Sequence, residues 1–402
     1  MAAVALLMSR FPKPSETFIL NEALELQRLG HTVQLYPLVE EHGASVQPEA
    51  AALAASAHFP RRAVLAVAAA QLRWLLERPG RYLSTWAGAL RGNRGSPKFL
   101  LRALAVVPSA AWFAREQRRN GVRHVHAHYA THPALAAWVC HRLIGVPYSF
   151  TAHAHDLYVE RPMLAEKARD AAFVVTISDF NRRLLGELLP ARDAARVHVV
   201  RCGVDLARFT PRPRAPHAGL RLACVASLEP YKGHQYLLRA LARLERDGLP
   251  FHCDLVGGGD LLEELERLAA DLAIAERVAF LGPRSSAFVA ELVGAADVLV
   301  LPSVITAEGK MEGLPVALME ALAVETPVVA TSISGVPELV EDGVTGLLVP
   351  PEDPAALAAA LARLAADPVL RSRLGRAGRE RVAERHELHA NVAALSALIE
   401  AP

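Results

Sequence analysis

The chain has 402 residues, which is long enough for two domains of ordinary size. Hydrophobic residues make up 52% and charged residues 21%, so there is ample material for packed cores and a disordered polypeptide is excluded. Lys and Arg total 44 against 42 Asp and Glu, a formal net charge of +2, which argues against a dedicated nucleic-acid binder with its marked basic excess.

The N-terminal residues, MAAVALLMSRF, have neither the basic leader nor the long apolar core of a signal peptide. No window of about 18 uninterrupted apolar residues occurs, so no transmembrane helix is expected. The four cysteines lie far apart, which predicts neither a zinc site nor a disulfide framework but small buried side chains in a reducing compartment. The default expectation is a cytoplasmic protein.

The first half of the chain alternates between strands and helices. AVALLMS predicts a strand, KPSET a loop, FILNEALELQRLGHTV a helix that ends at Gly30, and VQLYPLV the next strand. After residue 119 the alternation resumes with HVHAH, a helix, PYSFTAH, a helix and AAFVVTIS. This order is typical of a parallel α/β sheet and predicts an N-terminal Rossmann-like domain over residues 1–208.

Residues 46–119 interrupt that domain with an Ala- and Leu-rich segment whose helical periodicity predicts a helical insertion. Between Arg61 and Arg119, 12 Lys or Arg stand against two acidic residues, a local net charge of +10. The interleaved aromatic residues, which we expect at an interface, are Trp74, Trp86, Phe99 and Trp112. Two interpretations stay open: a merely solvated basic face, or a surface over 61–119 that meets anionic lipid or a lipid-linked phosphate at the inner face of the plasma membrane.

The second half begins after RFTPRPRAPHAG, a proline-rich stretch that predicts an interdomain linker over 209–218. Strands and helices alternate again over 219–383. The amphipathic pattern over 384–402 predicts a C-terminal helix, which is a candidate to pack back on the N-terminal domain. Two successive α/β halves predict two Rossmann-like domains with parallel sheets facing an interdomain cleft.

The richest stretch for chemistry follows the strand VLVLPS, because ligands of open parallel sheets sit at the carboxyl ends of the strands. Pro315 suits the first turn of the next helix, so free N–H groups near Gly313 and Leu314 would form an anion site, and Gly313 lets a phosphate approach closely. Glu320 follows Glu312 by eight residues, and the two carboxylates could bind hydroxyls of two sugars flanking a diphosphate. Paired carboxylates near a helix start are also common as mere dipole-stabilising groups.

Two further patterns suggest other ligands. Gly257 and Gly258 begin a triple-glycine turn, but the third glycine of a dinucleotide fingerprint is missing, so a close turn over a nucleotide is favoured over NAD binding. The strand HVHAH places His124, His126 and His128 on one face, and no Asp or Glu accompanies them in the sequence. No metal site is therefore predicted.

These segments together resemble a known family. EGLPVALMEALAVETPVVAT, with Glu312 and Glu320, resembles the Glu-x7-Glu motif of retaining glycosyltransferases of family 4, and SGVPELVEDGVTGLLVPPEDP is similar to the segment that follows it. VRCGVDLARF, VTISDFNRRLL, SLEPYKGHQYLLRAL and LVGGGDLLEELERLA also match in family order. RFPKPSETFILNEALELQRLGHTV resembles the exopolysaccharide (colanic-acid-type) branch. The resemblance covers nearly the whole chain apart from roughly 46–119 and implies the GT-B fold.

The resemblance implies roles in the second half of the chain. Glu312 would contact the donor sugar, Glu320 would bind the ribose hydroxyls, and Lys232 in YKG would hold the donor diphosphate, where an ammonium stabilises the charge of the leaving group. The family commonly has an Arg five residues before this Lys, and this chain has Ser227. Diphosphate binding would then depend on Lys232 and the helix N-terminus, or on another base such as Arg284.

The resemblance also implies roles in the first half. His153, in FTAHAHDLY, matches the family's motif and would lie near the anomeric centre of the donor sugar. His155 and Asp156 are expected to orient its imidazole, since a carboxylate often selects one tautomer. Further acceptor or cleft contacts are expected at Ser15, Glu16 and His128.

The resemblance thus implies a retaining glycosyltransferase that moves a sugar from a UDP- or GDP-type donor to a saccharide or lipid-linked acceptor in surface polysaccharide synthesis. A front-face mechanism without metal or cofactor is expected, in keeping with the absence of an Asp-x-Asp pair. Two alternatives stay open: a sugar-nucleotide epimerase or hydrolase on the same fold, and a non-catalytic nucleotide-sugar-binding subunit. Nucleic acid is not an expected partner.

Overall fold

The computed structural model describes residues 1–13, 16–41, 48–214 and 216–401. The chain divides into two compact units: unit 1 comprises residues 1–200 together with the chain from Val392 onward, and unit 2 comprises Arg201–Asn391. Each unit contains a six-stranded parallel sheet with flanking helices. The predicted pair of parallel Rossmann-like sheets is therefore confirmed.

Unit 1 has its sheet in the order β2-β1-β3-β4-β5-β6. Its strands are β1 Ala3–Phe11, β2 Thr32–Glu40, β3 His124–His128, β4 Tyr148–Ala152, β5 Phe173–Thr176 and β6 Val197–Val199. Its helices are α1 Thr17–Arg28, α2 Pro48–Ala55, α3 Val64–Glu77, α4 Pro79–Asn93, α5 Pro97–Arg119, α6 His132–Ile144, α7 His155–Tyr158, α8 Leu164–Asp170, α9 Asp179–Leu188 and α10 Ala191–Ala194. The residues of β3, β4 and β5 are buried throughout, as a helix-covered parallel sheet requires, although β3 contains three histidines. The chain adds β2 to one side of β1 and β3 to the other, so a topological switch point lies between β1 and β3.

Unit 2 has its sheet in the order β12-β11-β10-β7-β8-β9. Its strands are β7 Leu220–Val225, β8 Phe251–Val256, β9 Val278–Gly282, β10 Val298–Leu301, β11 Val328–Thr331 and β12 Leu347–Val349. Its helices are α11 His234–Arg246, α12 Leu262–Asp271, α13 Ser286–Ala295, α14 Val316–Ala323, α15 Val336–Leu339, α16 Pro354–Ala366 and α17 Pro368–Arg385, and α18 Leu388–Glu400 crosses into unit 1 at Val392. The switch point of this sheet lies between β7 and β10.

The proline-rich stretch predicted as a linker lies within unit 2, and the chain passes from unit 1 to unit 2 at residues 200 and 201. The Arg214 guanidinium donates to the Glu325 carbonyl at 3.1 Å and to Thr326 Oγ1 at 2.8 Å, and Arg379 donates to the Phe209 carbonyl at 2.9 Å. Hydrogen bonds from arginine side chains thus attach this stretch to the rest of unit 2, a connection that proline content alone does not reveal.

The helical periodicity predicted across the 46–119 segment is confirmed by helices α2 to α5. The expectation that its aromatic residues form an interface is wrong: Trp74, Phe99 and Trp112 are buried, and Trp86 is partly buried. The Trp74 indole N–H donates to the Ala111 carbonyl at 2.7 Å, so this ring packs between α3 and α5. Across the described residues, no helix combines the length and the apolar character needed to cross a membrane.

Candidate functional site

The switch point of unit 2 brings together an ammonium and a carboxylate from two loops. Lys232 ends the turn after β7 and Glu312 lies in the loop after β10, and their side chains form an ion pair. The two side chains are 13% and 10% exposed. Burial alone would lower the pKa of Lys232, but the Glu312 carboxylate outweighs it and raises that pKa above its usual value. The Lys232 side chain is therefore a permanent cation where parallel sheets bind ligands.

The backbone explains why these two loops meet. Gly233 has a φ of +70°, and a Cβ there would overlap the Pro302 carbonyl, so the turn after β7 needs glycine to approach the loop after β10. The Val304 N–H donates to the Tyr231 carbonyl at 2.8 Å, which joins the same two loops. Lys232 is thereby held next to the loop that carries Glu312.

The glycine turn after β8 has a backbone reason of its own. Gly257 has a φ of +148°, and a Cβ there would overlap the carbonyl oxygen of Ala226. The Leu228 N–H donates to the Gly258 carbonyl at 2.9 Å, so the turns after β7 and β8 run side by side. Close approach of two backbones thus requires glycine at 257, and nucleotide binding at Gly257 and Gly258 stays a prediction.

The loop before α14 leaves two backbone donors available. Gly313 and Leu314 donate their N–H groups to no acceptor within the ranges that the structure describes. Pro315 is not in the first turn as predicted: it is extended, with ψ +124°, and precedes the helix, which begins at Val316. The Ser334 hydroxyl donates to the Gly313 carbonyl at 3.0 Å and steadies the loop. The two amides keep the donor capacity of an anion site.

Glu320 lies in the second turn of α14 and accepts no hydrogen bond from any residue in the described parts of the chain. Burial raises the pKa of its carboxyl to about 7, and Arg208 opposes this rise only in part. The Arg208 guanidinium donates to the Ser286 hydroxyl. A partly buried carboxylate without a hydrogen-bond donor is typical of a binding site without its ligand.

Ser227 and Arg284 have different surroundings, and the role of Arg284 as a substitute base stays a prediction. The Ser227 hydroxyl donates to Glu229 Oε1 at 3.2 Å. Arg284 is exposed after the edge strand β9, and its guanidinium lies 5.2 Å from the centroid of the Phe288 ring. Sequence reasoning missed Lys310, which pairs with Glu229 and belongs to no motif.

Unit 1 has a second polar cluster at its own switch point. Glu22 lies in the second turn of α1, and its Oε1 is 3.1 Å from Nε2 of His128, which ends β3 and is fully buried. Burial would raise the pKa of Glu22, but His128 lowers it, and the net shift is downward. The expectation that no acid accompanies the histidines is therefore wrong. The structure brings the Glu22 side chain of α1 to His128 at the end of β3, a contact that no motif of the sequence indicates.

The spacing of this cluster would suit a metal ion. One ligand atom each of Glu22, His126 and His128 lies within 4.8 Å of the others, and this is the one such group among the residues described. His126 already uses both ring nitrogens, Nδ1 to Ser149 Oγ at 2.8 Å and Nε2 to Thr151 Oγ1 at 2.9 Å. Burial lowers the pKa of His126 to about 3, so the imidazole is neutral. His126 is thus satisfied by hydrogen bonds, whereas both ring nitrogens of His128 and Oε1 of Glu22 are buried without a hydrogen-bond partner in the described structure. The absence of a bound metal stays a prediction.

His153 follows β4 and faces the same cluster. Its ring centroid lies 4.9 Å from that of Phe18, 4.7 Å from that of Tyr129 and 5.7 Å from that of His128. Burial, and then His128, lower the pKa of His153 well below its usual value, so the imidazole is neutral. Its Nε2 has no hydrogen-bond partner in the described structure, which leaves it able to bind a ligand.

The expected orienting role of Asp156 is wrong. Its carboxylate accepts from the backbone N–H groups of Ala130 at 2.7 Å, His153 at 3.1 Å and Ala154 at 2.9 Å, and so binds loop backbone rather than the imidazole. His155 is half-exposed, with Nε2 3.4 Å from Glu160 Oε2. A carboxylate next to three unpaired amides satisfies them first, because buried backbone donors without a partner are costly.

The loop after β1 contributes one further candidate. Glu16 Oε1 accepts from Lys13 Nζ at 2.6 Å, while its buried Oε2 has no partner within the described ranges. Ser15 lies outside the described residues.

The chain matches two family models, "Glycosyltransferase Family 4" over residues 15–208 and "Glycosyl transferases group 1" over residues 211–381. The amylovoran biosynthesis glycosyltransferase AmsK of Erwinia amylovora is 32% identical over 377 residues, which is 88% of each chain. WcaL of Salmonella typhimurium, whose name provisionally assigns it to colanic acid biosynthesis, is 31% identical over 392 residues, which is 89% of each chain.

The fold agrees with solved structures of low sequence identity. Anabaena HepE in complex with UDP and glucose has a TM-score of 0.71 at 17% identity over 98% of both chains. Sucrose-phosphate synthase of Thermosynechococcus elongatus has a TM-score of 0.70 at 21% identity over 99% of this chain and 98% of that one. The two parallel α/β units are those of a GT-B glycosyltransferase. By its sequence relatives, the chain belongs to glycosyltransferase family 4.

Proposed function

We propose that this glycosyltransferase moves a sugar, with retention of configuration and without a metal ion, from a nucleotide diphosphate-sugar to a saccharide or lipid-linked saccharide in surface polysaccharide synthesis. The observation that carries the proposal is the Lys232–Glu312 ion pair at the switch point of unit 2, with the unpartnered Glu320 on the adjoining helix. An ammonium matches phosphate and carboxylates match sugar hydroxyls. The name of AmsK and the UDP complexes of HepE support this choice of substrates.

Binding of the donor would replace the contact between Lys232 and Glu312 by contacts of each side chain with the donor. Lys232 moves its ammonium from Glu312 to the diphosphate and stabilises the charge on the leaving phosphate. The Gly313 and Leu314 amides add neutral donors at the start of α14. Glu312 then accepts hydroxyls of the donor sugar, and Glu320 accepts those of the ribose.

Retention is proposed to follow a front-face mechanism, in which the leaving phosphate takes the proton of the acceptor hydroxyl. Neither Glu312 nor Glu320 is assigned as a nucleophile, since both are engaged with hydroxyls. The neutral imidazole of His153 positions the donor sugar by hydrogen bonding. In this proposal the Lys232 ammonium neutralises charge on the phosphate, so no metal ion is needed for that role.

The decisive test is nucleotide binding followed by product analysis. UDP, GDP, ADP and NAD are compared by thermal unfolding, and we expect stabilisation by one nucleoside diphosphate, worth about 2.7 kcal/mol at about 100 times its Kd. The matching donor is then incubated with EDTA, and the anomer first released by slow hydrolysis is identified by NMR. Stabilisation by NAD or by none of the four, dependence on added metal, or release of the inverted anomer would each contradict the proposal.

The outer surface of α3 supports a peripheral contact with anionic lipid as part of this function. Leu65, Leu72 and Leu76, here called the leucine face, are seven and four residues apart and so share one side of the helix. They are 86%, 60% and 72% exposed, while Ala70 and Trp74 are buried on the other side. An apolar helix face of this kind fits the interfacial region of a bilayer.

Neighbouring residues extend this surface. Gln71 donates to the Pro108 carbonyl and Trp74 to that of Ala111, each across 37 residues, so α3 and α5 run parallel. The same offset brings Leu101, 69% exposed, beside the start of α3. The exposed cations of the segment are Arg61, Arg62, Arg73, Arg78, Arg81, Arg91, Arg94, Lys98, Arg102, Arg118 and Arg119. Their charge selects an anionic bilayer as the occupant.

Replacing the leucine face with Leu65→Ser, Leu72→Ser and Leu76→Ser should lower cosedimentation with phosphatidylglycerol vesicles at least about tenfold, because the apolar contact is lost. Binding of the wild type should weaken with salt and be slight on phosphatidylcholine. Val369→Ser, at an equally exposed apolar position of unit 2, is the control. Equal binding of the triple variant, or a wild type that dimerises through this face instead, would contradict the proposal.

A further inference from the structure

We infer that Lys310 is a second diphosphate-binding cation of the donor site, which supplies from the loop after β10 the positive charge that Ser227 lacks. The inference rests on the proposed function and concerns a residue that no motif singles out. A nucleoside diphosphate carries more than one negative charge, and Lys232 by itself offers a single cation.

The backbone of Lys310 is held in place by a closed turn. Its N–H donates to Thr306 Oγ1 at 3.1 Å, its carbonyl accepts from the Thr306 N–H at 2.9 Å, and the Gly309 N–H donates to the Thr306 carbonyl at 2.8 Å. The side chain therefore starts from a defined point two residues before Glu312.

Lys310 and Lys232 share one aromatic neighbour. The Nζ atoms lie 4.5 Å and 4.9 Å from the centroid of the Tyr231 ring, which puts them at most 9.4 Å apart. Each cation is paired with a carboxylate of its own, Lys310 with Glu229 and Lys232 with Glu312. Two like charges this close to one ring form a site that a multiply charged anion would occupy.

The contacts of Glu229 connect Lys310 to position 227. Glu229 accepts from the Ser227 hydroxyl with one oxygen, at 3.2 Å, and from Lys310 with the other. Burial would raise the pKa of Glu229, but Lys310 lowers it, so this carboxylate is an anion. The Glu229 carboxylate thus bridges the Lys310 ammonium and the uncharged side chain of Ser227.

The Lys310–Glu229 pair is easily exchanged for a ligand. The two side chains are 35% and 40% exposed, and ion pairs with that much solvent contribute little to stability. Arg284 is the weaker candidate because β8 separates its strand, β9, from β7, a distance of about 10 Å across the sheet.

The test is calorimetric titration with whichever of UDP, GDP and ADP binds the wild type, and with the corresponding nucleoside. Lys310→Gln should weaken the diphosphate by about 10- to 100-fold, as expected for one charge-assisted hydrogen bond, and leave nucleoside binding unchanged. Arg284→Gln should bind as the wild type does. Ser227→Arg combined with Lys310→Gln should restore most of the affinity, because an arginine at 227 reaches the same place.

Glu229→Gln separates ligand binding from a structural role of the pair. It frees Lys310 and should keep or tighten diphosphate binding, whereas a pair that merely holds the loop would make it as weak as Lys310→Gln. Unchanged binding by Lys310→Gln, or equal losses for diphosphate and nucleoside, overturns the inference while the proposed function stands. A wild type that binds none of UDP, GDP and ADP overturns both.

Discussion

Lys232→Met should lower the rate of sugar transfer by about two to three orders of magnitude, the usual cost of removing one group that stabilises charge in the transition state. It should also lower the free energy of unfolding by about 3 kcal/mol, because Glu312 would remain buried without its cation. Transfer is measured with the donor selected by nucleotide binding, and unfolding with urea.

A double variant separates the two effects. Lys232→Met with Glu312→Leu removes both charges, so we expect stability to recover while transfer stays lost. Glu312→Ala alone should lower transfer at least about tenfold, the worth of one good polar contact to the sugar. Transfer at the wild-type rate in either single variant would show that the residue substituted in it does not take part in the donor site.

Glu320→Gln should abolish a pH-dependent loss of stability. The pKa of Glu320 is raised from 4.5 to about 7 in the folded chain, so the folded state holds this proton more tightly than the unfolded state does. Stability from this group is complete below about pH 4.5 and is lost as the pH rises through about 7. Between about pH 5 and about pH 8, the wild type should lose about 1 to 3 kcal/mol relative to Glu320→Gln.

The measurement is urea unfolding at a series of pH values. Glu263→Gln replaces an exposed carboxylate on α12 of the same unit and should follow the wild type at every pH. A saturating nucleoside diphosphate should stabilise the wild type more than Glu320→Gln above about pH 7, where the ionised carboxylate accepts the ribose hydroxyls. Parallel pH profiles for wild type and Glu320→Gln would show that folding does not raise the pKa of this carboxyl.

The sequence by itself determined the alternating α/β order, the two parallel sheets and the glycosyltransferase family. Continuous apolar strands separated by amphipathic helices have few other ways to bury their surface, and this pattern needs no knowledge of distant contacts. Glu312, Gly313 and Glu320 could likewise be identified from the sequence, because a motif at the end of a strand keeps its residues close along the chain.

Tertiary structure decided what depends on residues far apart in sequence. Glu22 of α1 meets His128 at the end of β3, and Lys310 approaches Ser227 because the loops after β7 and β10 meet at the switch point. In the helical segment, packing of α3 on α5 buries Trp74 and exposes Leu65. The sequence shows that these side chains are present, but their burial, charge partners and pKa values arise only when separate elements pack against each other.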